Sequence, residues 1–262
     1  MFNFLKKKAD KISNWDFIQT DIHSHIIPGI DDGAETIEDS IKLIKEMYHH
    51  GYKKMIATPH ISEDIYPNSK ETIFAKRDQL REKLAKLGIN IKIDAAAEYM
   101  IDGNFVNLAK EEQLLPLFDN YVLVEMSYLV ESPYLDIAIF ALQTHGYKPI
   151  LAHPERYSFY HNNLDKYNEL KNKGCLFQLN TIAFSGYYGK SVKKTAEYLL
   201  GKNMYEFCGS DIHHLKHVNA LHSVLSSKHT KQLEEYHFRN NEIDLAEQFD
   251  SSSVLAGDSF HN

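Results

Sequence analysis

Cysteine is scarce in this chain. Cys175 and Cys208 are the only two in 262 residues, too few for a disulfide scaffold, and both are expected to be reduced and buried beside strands. Neither suits a thiol phosphatase, whose nucleophile is followed within a few residues by an Arg that holds the phosphate. Cys175 is followed by Leu-Phe-Gln-Leu-Asn-Thr and Cys208 by Gly-Ser-Asp-Ile-His-His. An excess of positive charge is also missing. The formal net charge is −7 and the pI about 6.1, which argues against a general basic field for nucleic acid, although bound divalent cations would reverse the sign locally. No window approaches the roughly 18 apolar residues of a membrane span. The start, Met1-Phe-Asn-Phe-Leu-Lys-Lys-Lys8, has its charged and apolar residues in the wrong order for a signal peptide. A cytoplasmic protein is expected. Internal repeats and a dividing linker are absent too, so residues 16–247 read as one domain, residues 1–15 as a polar lead-in and residues 248–262 as a tail expected to be disordered.

What the chain does have is a regular alternation of strand and helix patterns. Strands are expected at Phe17–Ile22, Lys54–Pro59, Ile89–Ala97, Tyr121–Glu125, Lys148–Ala152, Cys175–Leu179 and Met204–Cys208. Helical patterns lie between them at Thr36–Tyr48, Thr72–Leu87, Pro133–His145, Leu164–Lys173 and Ser191–Leu200, most of them stopped by a glycine. Seven such alternations describe a parallel α/β domain.

The residues that can hold a metal are concentrated at the strand ends. His23 and His25 lie two apart on an extended chain, so their side chains project to the same side. A turn carrying Pro28, Gly29, Asp31, Asp32 and Gly33 follows, and can fold a carboxylate back towards them. His60, Glu98, Glu125, His153, Asp211 and His213 each lie at or just beyond the carboxyl end of a further expected strand. In parallel barrels those ends face one mouth, where active sites are built. A mixed imidazole and carboxylate set without cysteine suits Mn, Fe or Zn, and so many histidines argue against a simple Mg²⁺ site. The set is too large for one ion, so two or three are implied. Such a cluster can generate hydroxide at neutral pH and stabilise charge on a transferring phosphoryl group.

The strings Asp21-Ile-His-Ser-His25, Thr58-Pro-His60, Ala97-Glu98, Val124-Glu125, Ala152-His-Pro-Glu-Arg-Tyr157 and Ser210-Asp-Ile-His213 resemble the PHP (polymerase and histidinol phosphatase) superfamily. Within it, they are similar to the bacterial manganese-dependent tyrosine-protein phosphatases of capsule and exopolysaccharide loci, the CpsB/YwqE type, over roughly residues 17–225. The resemblance implies a distorted (β/α)7 TIM-like barrel with a trinuclear centre at the carboxyl ends of its strands, Mn²⁺ being the first choice and Fe or Zn the alternatives. It implies that His23, His25, Glu98 and Asp211 hold one ion; that Glu98, as a bridge, holds a second with Glu125 and His153; and that Asp32, His60 and His213 hold the third. His60 and Asp211 are then essential to catalysis. Arg156 supplies the guanidinium that absorbs charge on the phosphoryl oxygens, its planar fork matching them. The implied substrate is phosphotyrosine in a protein tail, the implied partner a bacterial tyrosine kinase that controls polysaccharide export.

One departure from the family's pattern stands out. Many relatives carry a second phosphate-holding Arg in the loop after the last Asp-x-His, whereas this chain reads His214-Leu-Lys-His-Val-Asn-Ala220. Lys216, His217 or His214 could substitute. Tyr66, Tyr99, Tyr128, Tyr134, Tyr157, Tyr187 and Tyr188 fall in the mouth loops and could pack a phosphotyrosine ring. Two other enzyme classes share the opening motif: small-molecule phosphatases of the same fold, acting on histidinol phosphate or nucleotides, and amidohydrolases. The Asp-x-His ending and the additional carboxylates favour a phosphoesterase over the latter.

Overall fold

The structure, a computed structural model, describes residues 14–243. The expected tail and nearly all of the lead-in lie outside these residues. The expected strands are present, and two of them are followed, after a two-residue break, by a further short strand, so that nine short strands stand among the described residues where seven were expected. These are β1 (Thr20–Asp21), β2 (Lys54–Ala57), β3 (His60–Ile61), β4 (Lys92–Ala95), β5 (Glu98–Met100), β6 (Tyr121–Glu125), β7 (Lys148–Ala152), β8 (Leu176–Asn180) and β9 (Phe207–Gly209). All neighbours pair in parallel, in one sheet of order β1-β2-β4 and a second of order β3-β5-β6-β7-β8-β9.

The break between β2 and β3 falls at Thr58-Pro59, where proline has no N–H to give to a ladder. The adjacent break between β4 and β5 falls at Ala96-Ala97. Main-chain bonds still run across both, from Ala96 N to Ala57 O and from Glu98 N to Pro59 O. The first strand is shorter than expected because Gln19 adopts a left-handed conformation (φ 56°) and residues 15–19 turn on themselves, with Ile18 N and Gln19 N both donating to Trp15 O. Beyond β1 the chain stays extended. Ser24 forms a parallel bridge with Ile212, just past β9, and Thr58 N donates to Ser24 O.

Among the described residues, six α-helices lie between strands, α1 (Ile37–His49), α2 (Lys70–Lys86), α3 (Gly103–Lys110), α4 (Leu135–Thr144), α5 (Asp165–Asn172) and α6 (Lys190–Gly201), and two follow the last strand, α7 (Leu215–Val224) and α8 (Thr230–Glu235). Side-chain caps start several of them. Thr36 accepts from Asp39 N, Asp102 from Phe105 N, and Ser69 forms a reciprocal capping box with Thr72. The stretch expected to be a loop after the last Asp-x-His is instead α7. Its two histidines, Asn and two valines are weak helix formers, and packing decides the outcome, since Val218, Leu221 and Val224 are buried.

Strand alternation sorts the core. Val122 and Val124 of β6 join the large cluster that the helices cover, whereas Tyr121 and Leu123 join Ile22, Ile56, Ala96, Ile150, Ala152 and Phe207 in a smaller cluster on the other face. Glu125 continues the parity of Tyr121 and Leu123. The smaller apolar core therefore has a carboxylate at the carboxyl end of its central strand.

Candidate metal centre

Every residue expected to ligate a metal arrives at that one end. His23 and His25 come from the extended chain after β1, His60 opens β3, Glu98 opens β5, and Glu125 closes β6. His153 follows β7, and Asp211 and His213 follow β9. Two of them sit in strained backbone: His153 (φ 36°) and Asp211 (φ 51°) are left-handed without being glycine. Such conformations cost about 1–3 kcal/mol each and gather at functional sites.

Glu98 is the hub. It is fully buried, with Oε2 3.2 Å from His23 Nε2, 3.4 Å from His25 Nε2 and 3.1 Å from His60 Nδ1, and Oε1 3.1 Å from His153 Nε2. Glu125 Oε1 lies 2.8 Å from His60 Nδ1. Asp211 divides its oxygens: Oδ1 is 3.4 Å from the Nε2 atoms of both His23 and His25, while Oδ2 accepts from Arg156 Nη1 at 2.6 Å and Asn180 Nδ2 at 2.8 Å. Asp32, on the exposed rim, reaches His60 Nε2 and His213 Nε2, each at 3.4 Å.

These contacts divide into four overlapping groups: His25, Asp32, His60 and His213; His23, Glu98 and His153; His23, His25 and Asp211; and His60, Glu98 and Glu125. The partition differs from the one the resemblance implies. His60 faces Glu98 and Glu125 through Nδ1 as well as Asp32 through Nε2, and His25 joins the group of Asp32, His60 and His213. Glu98 is not grouped with His23, His25 and Asp211, and His153 groups with His23 and Glu98, Glu125 Oε2 being 3.9 Å away.

The donor set fits divalent ions. His60 Nδ1 and Glu98 Oε2 are buried 3.1 Å apart, yet neither makes a hydrogen bond. Short separation without donor–acceptor alignment is what groups aimed at a common third point produce. Two of the imidazoles are oriented from behind: His23 Nδ1 pairs with Gln178 Oε1 at 2.9 Å and His25 Nδ1 with Asp31 Oδ2 at 2.8 Å. With the proton on Nδ1, each ring turns its Nε2 lone pair into the cluster, the usual outer-sphere support of a ligating histidine.

The charges suit this arrangement. Burial works to raise the carboxyls of Glu98 and Asp211, but neighbouring imidazoles, His23 foremost, hold both well below the usual range. Burial likewise opposes charge on His23, His25 and His60, yet surrounding carboxylates raise all three. Protons on imidazoles thus balance the carboxylates, and divalent cations displace such protons when they bind.

The chain matches the sequence profile described as "Capsular polysaccharide synthesis, CpsB/CapC" over residues 19–245. It belongs to the CpsB/CapC family. Among its relatives, tyrosine-protein phosphatase YwqE of Bacillus subtilis is 33% identical over 197 residues, covering 75% of this chain and 78% of that protein. The putative tyrosine-protein phosphatase CapC of Staphylococcus aureus is 31% identical over 196 residues, 74% of this chain and 76% of that one. Among solved structures, the work on YwqE from Bacillus subtilis and CpsB from Streptococcus pneumoniae, described as metal-dependent tyrosine phosphatases, matches with a TM-score of 0.73 at 30% identity, covering 85% of this chain and 90% of that one. An inactive dihydroorotase-like domain of Chaetomium thermophilum shares the fold alone, with a TM-score of 0.51 at 10% identity.

Arg156 follows in a short 3-10 turn, Pro154–Arg156. Its guanidinium lies between two aromatic rings, 4.1 Å from the centroid of Tyr128 and 4.3 Å from that of Tyr188. The neighbouring Glu155 is buried and faces elsewhere, accepting from Asn180 N and Tyr205 Oη. Of the other tyrosines expected at the mouth, Tyr66 stacks on His60, and Tyr134 and Tyr187 are exposed. Tyr99 and Tyr157 are core residues whose hydroxyls accept from Leu115 N and Met126 N. His217 is buried; burial, then His214, pushes its pKa down to about 3, and its Nδ1 accepts from His213 N. It is uncharged at neutral pH, so Lys216 and His214 remain as exposed candidates for the missing Arg. Both cysteines are buried and free, with Cys175 pushed up to about 12 by burial.

Gln178 and Asn180 were not anticipated, whereas Asp31, in the acidic turn expected to fold back towards the imidazoles, reaches His25 Nδ1 from behind. Asp31 stands beside Asp32 in the same turn, and Gln178 and Asn180 are polar residues in an otherwise apolar strand. Each carried a signal, but only the fold supplies its partner. A glycine guards the same region: a Cβ built on Gly209 would stand 2.6 Å from His23 Cβ and 2.8 Å from Gln178 Nε2. Gly209→Ala should cost about 1–3 kcal/mol by overpacking and weaken metal retention by displacing His23. Thermal unfolding together with elemental analysis checks both. An unaltered metal content would show that His23 tolerates the shift.

Proposed function

We propose that this chain is a metal-dependent protein-tyrosine phosphatase that hydrolyses phosphotyrosine in a protein tail, with a bacterial tyrosine kinase of capsular or exopolysaccharide synthesis as its substrate. The observation that carries the reading is the convergence of imidazoles and carboxylates on Glu98, with the guanidinium of Arg156 held beside them. The scaffold is a distorted (β/α)7 barrel, supported by parallel strands throughout and by the Ser24–Ile212 bridge between the first strand's continuation and the segment after the last. The ligands are His23, His25, Asp32, His60, Glu98, Glu125, His153, Asp211 and His213, holding two or three ions, of which Mn²⁺ is the first choice. When bound, the ions supply water activated near neutral pH and positive charge for the phosphoryl oxygens.

The chain's own residues position the substrate. Arg156 spends one N–H on Asp211, and its other N–H groups have no hydrogen-bond partner among the described residues. They are free to take two phosphoryl oxygens as a fork. The Tyr128 and Tyr188 rings fix the plane of that fork. A phenolate leaving group, from a phenol of pKa about 10, needs little protonation in a loose phosphoryl-transfer transition state, so no separate acid beside the leaving oxygen is required. A small-molecule phosphatase is not favoured, because the relatives act as tyrosine phosphatases by name. The likeness to a dihydroorotase-like domain, being in fold alone, lends no weight to an amidohydrolase.

The test is kcat/KM on phosphotyrosyl peptide, histidinol phosphate and a nucleotide panel, with metal content measured in the same preparation. Preference for either small-molecule class would overturn the reading. Arg156→Lys keeps the charge but loses the fork. It should lower kcat/KM on the peptide about 100-fold, the usual loss for one transition-state donor, with metal content unchanged.

A further inference from the structure

Beside the candidate centre lies an open cavity of about 500 Å³, between the 32–35 turn, α1 and the start of α7. Asp32 and His213 belong to its wall as well as to the metal cluster. Ala34 and Leu43 line it and are almost fully buried, and Leu215, the first residue of α7, lines it while 45% exposed. Lys216 stands at the edge with no ion pair among the described residues. A concave, partly apolar space of this size, continuous with convergent polar groups, has the form of a ligand subsite.

We propose that this cavity is a substrate subsite that takes an apolar side chain flanking the phosphotyrosine. The inference rests on the phosphatase reading above and adds the sequence preference of the same site. A phosphoryl group seated at the cluster has the cavity as its immediate neighbour through Asp32 and His213. An extended peptide rises about 3.3 Å per residue and alternates its side chains, so a residue one or two positions from the phosphotyrosine comes within reach of the groove. There an aliphatic or aromatic side chain covers Leu215, apolar surface that the fold itself leaves open to water.

The test compares two phosphotyrosyl peptides that differ only in carrying Leu or Ser at the four positions nearest the phosphotyrosine, with para-nitrophenyl phosphate as a substrate that has no flanking residues. Affinity is measured in parallel by fluorescence anisotropy, on metal-loaded protein, with phosphonate analogues of both peptides that cannot be hydrolysed. The wild-type chain should favour the Leu peptide about tenfold in kcat/KM and in Kd, the scale on which apolar subsites discriminate. Leu215→Gln, of similar size and uncharged, should remove that preference while leaving para-nitrophenyl phosphate turnover within about twofold and the unfolding temperature unchanged. Equal handling of the two peptides by the wild type, or a preference that survives Leu215→Gln, overturns the subsite. Tight, Leu215-dependent binding of the Leu analogue without turnover of any phosphate ester would instead overturn the phosphatase reading and leave the groove standing.

Discussion

Glu98→Gln should lower kcat/KM on a phosphotyrosyl peptide by at least about 10³-fold, the scale on which enzymes lose rate when transition-state charge stabilisation is removed. Among the described residues no other carboxylate lies so close to so many imidazoles: His23, His25 and His60 are within 3.1–3.4 Å of one oxygen, and His153 is 3.1 Å from the other. The amide has nearly the same volume, so the effect isolates charge from packing. It also turns an N–H donor, or at best a neutral oxygen, towards ring nitrogens arranged around an anion. Bound metal per chain should fall in the same preparation, and the far-ultraviolet circular dichroism should not change. Wild-type metal content and activity in Glu98→Gln would remove the centre from the mechanism.

Stripping the ions with a chelator should abolish turnover and lower the unfolding temperature by about 10 °C, both restored by added Mn²⁺. The thermal figure follows from linkage. An ion at a thousand times its Kd contributes about 4 kcal/mol, and a chain of this size shifts by about 2–4 °C per kcal/mol. Without ions, the buried carboxylates rely on protonated imidazoles for compensation, and His60 Nδ1 and Glu98 Oε2 remain without hydrogen bonds. Two measurements separate cause from consequence: activity against metal content during titration, and calorimetry of the stripped and reloaded protein. Full turnover by the stripped protein would exclude a metal-dependent phosphatase.

The elements that carry ligands were the most legible in the sequence, because a parallel strand is a short apolar run and its carboxyl end is marked by the first polar residue after it. Glu125 after Tyr-Val-Leu-Val and His153 after Pro-Ile-Leu-Ala are the clearest cases. The broken strands were less legible: Pro59 announces an interruption, but the matching one at Ala96-Ala97 lies in the neighbouring strand and follows from register. Gln178 and Asn180 were hidden for a different reason. Their partners His23 and Asp211 lie 155 and 31 residues away, and no local pattern encodes a hydrogen bond over such spans. Helix α7 was concealed by propensity, since its weak formers hold their shape through Val218, Leu221 and Val224.

The buried carboxylate of Asp21 accepts from both the backbone N and the Oγ of Ser210, 189 residues later. This clasp brackets four of the expected ligands, since His23 and His25 follow Asp21 closely and Asp211 and His213 follow Ser210. One buried contact therefore yokes two segments that are far apart in the chain, and a change that loosens Asp21 or Ser210 should shift all four side chains together rather than one at a time.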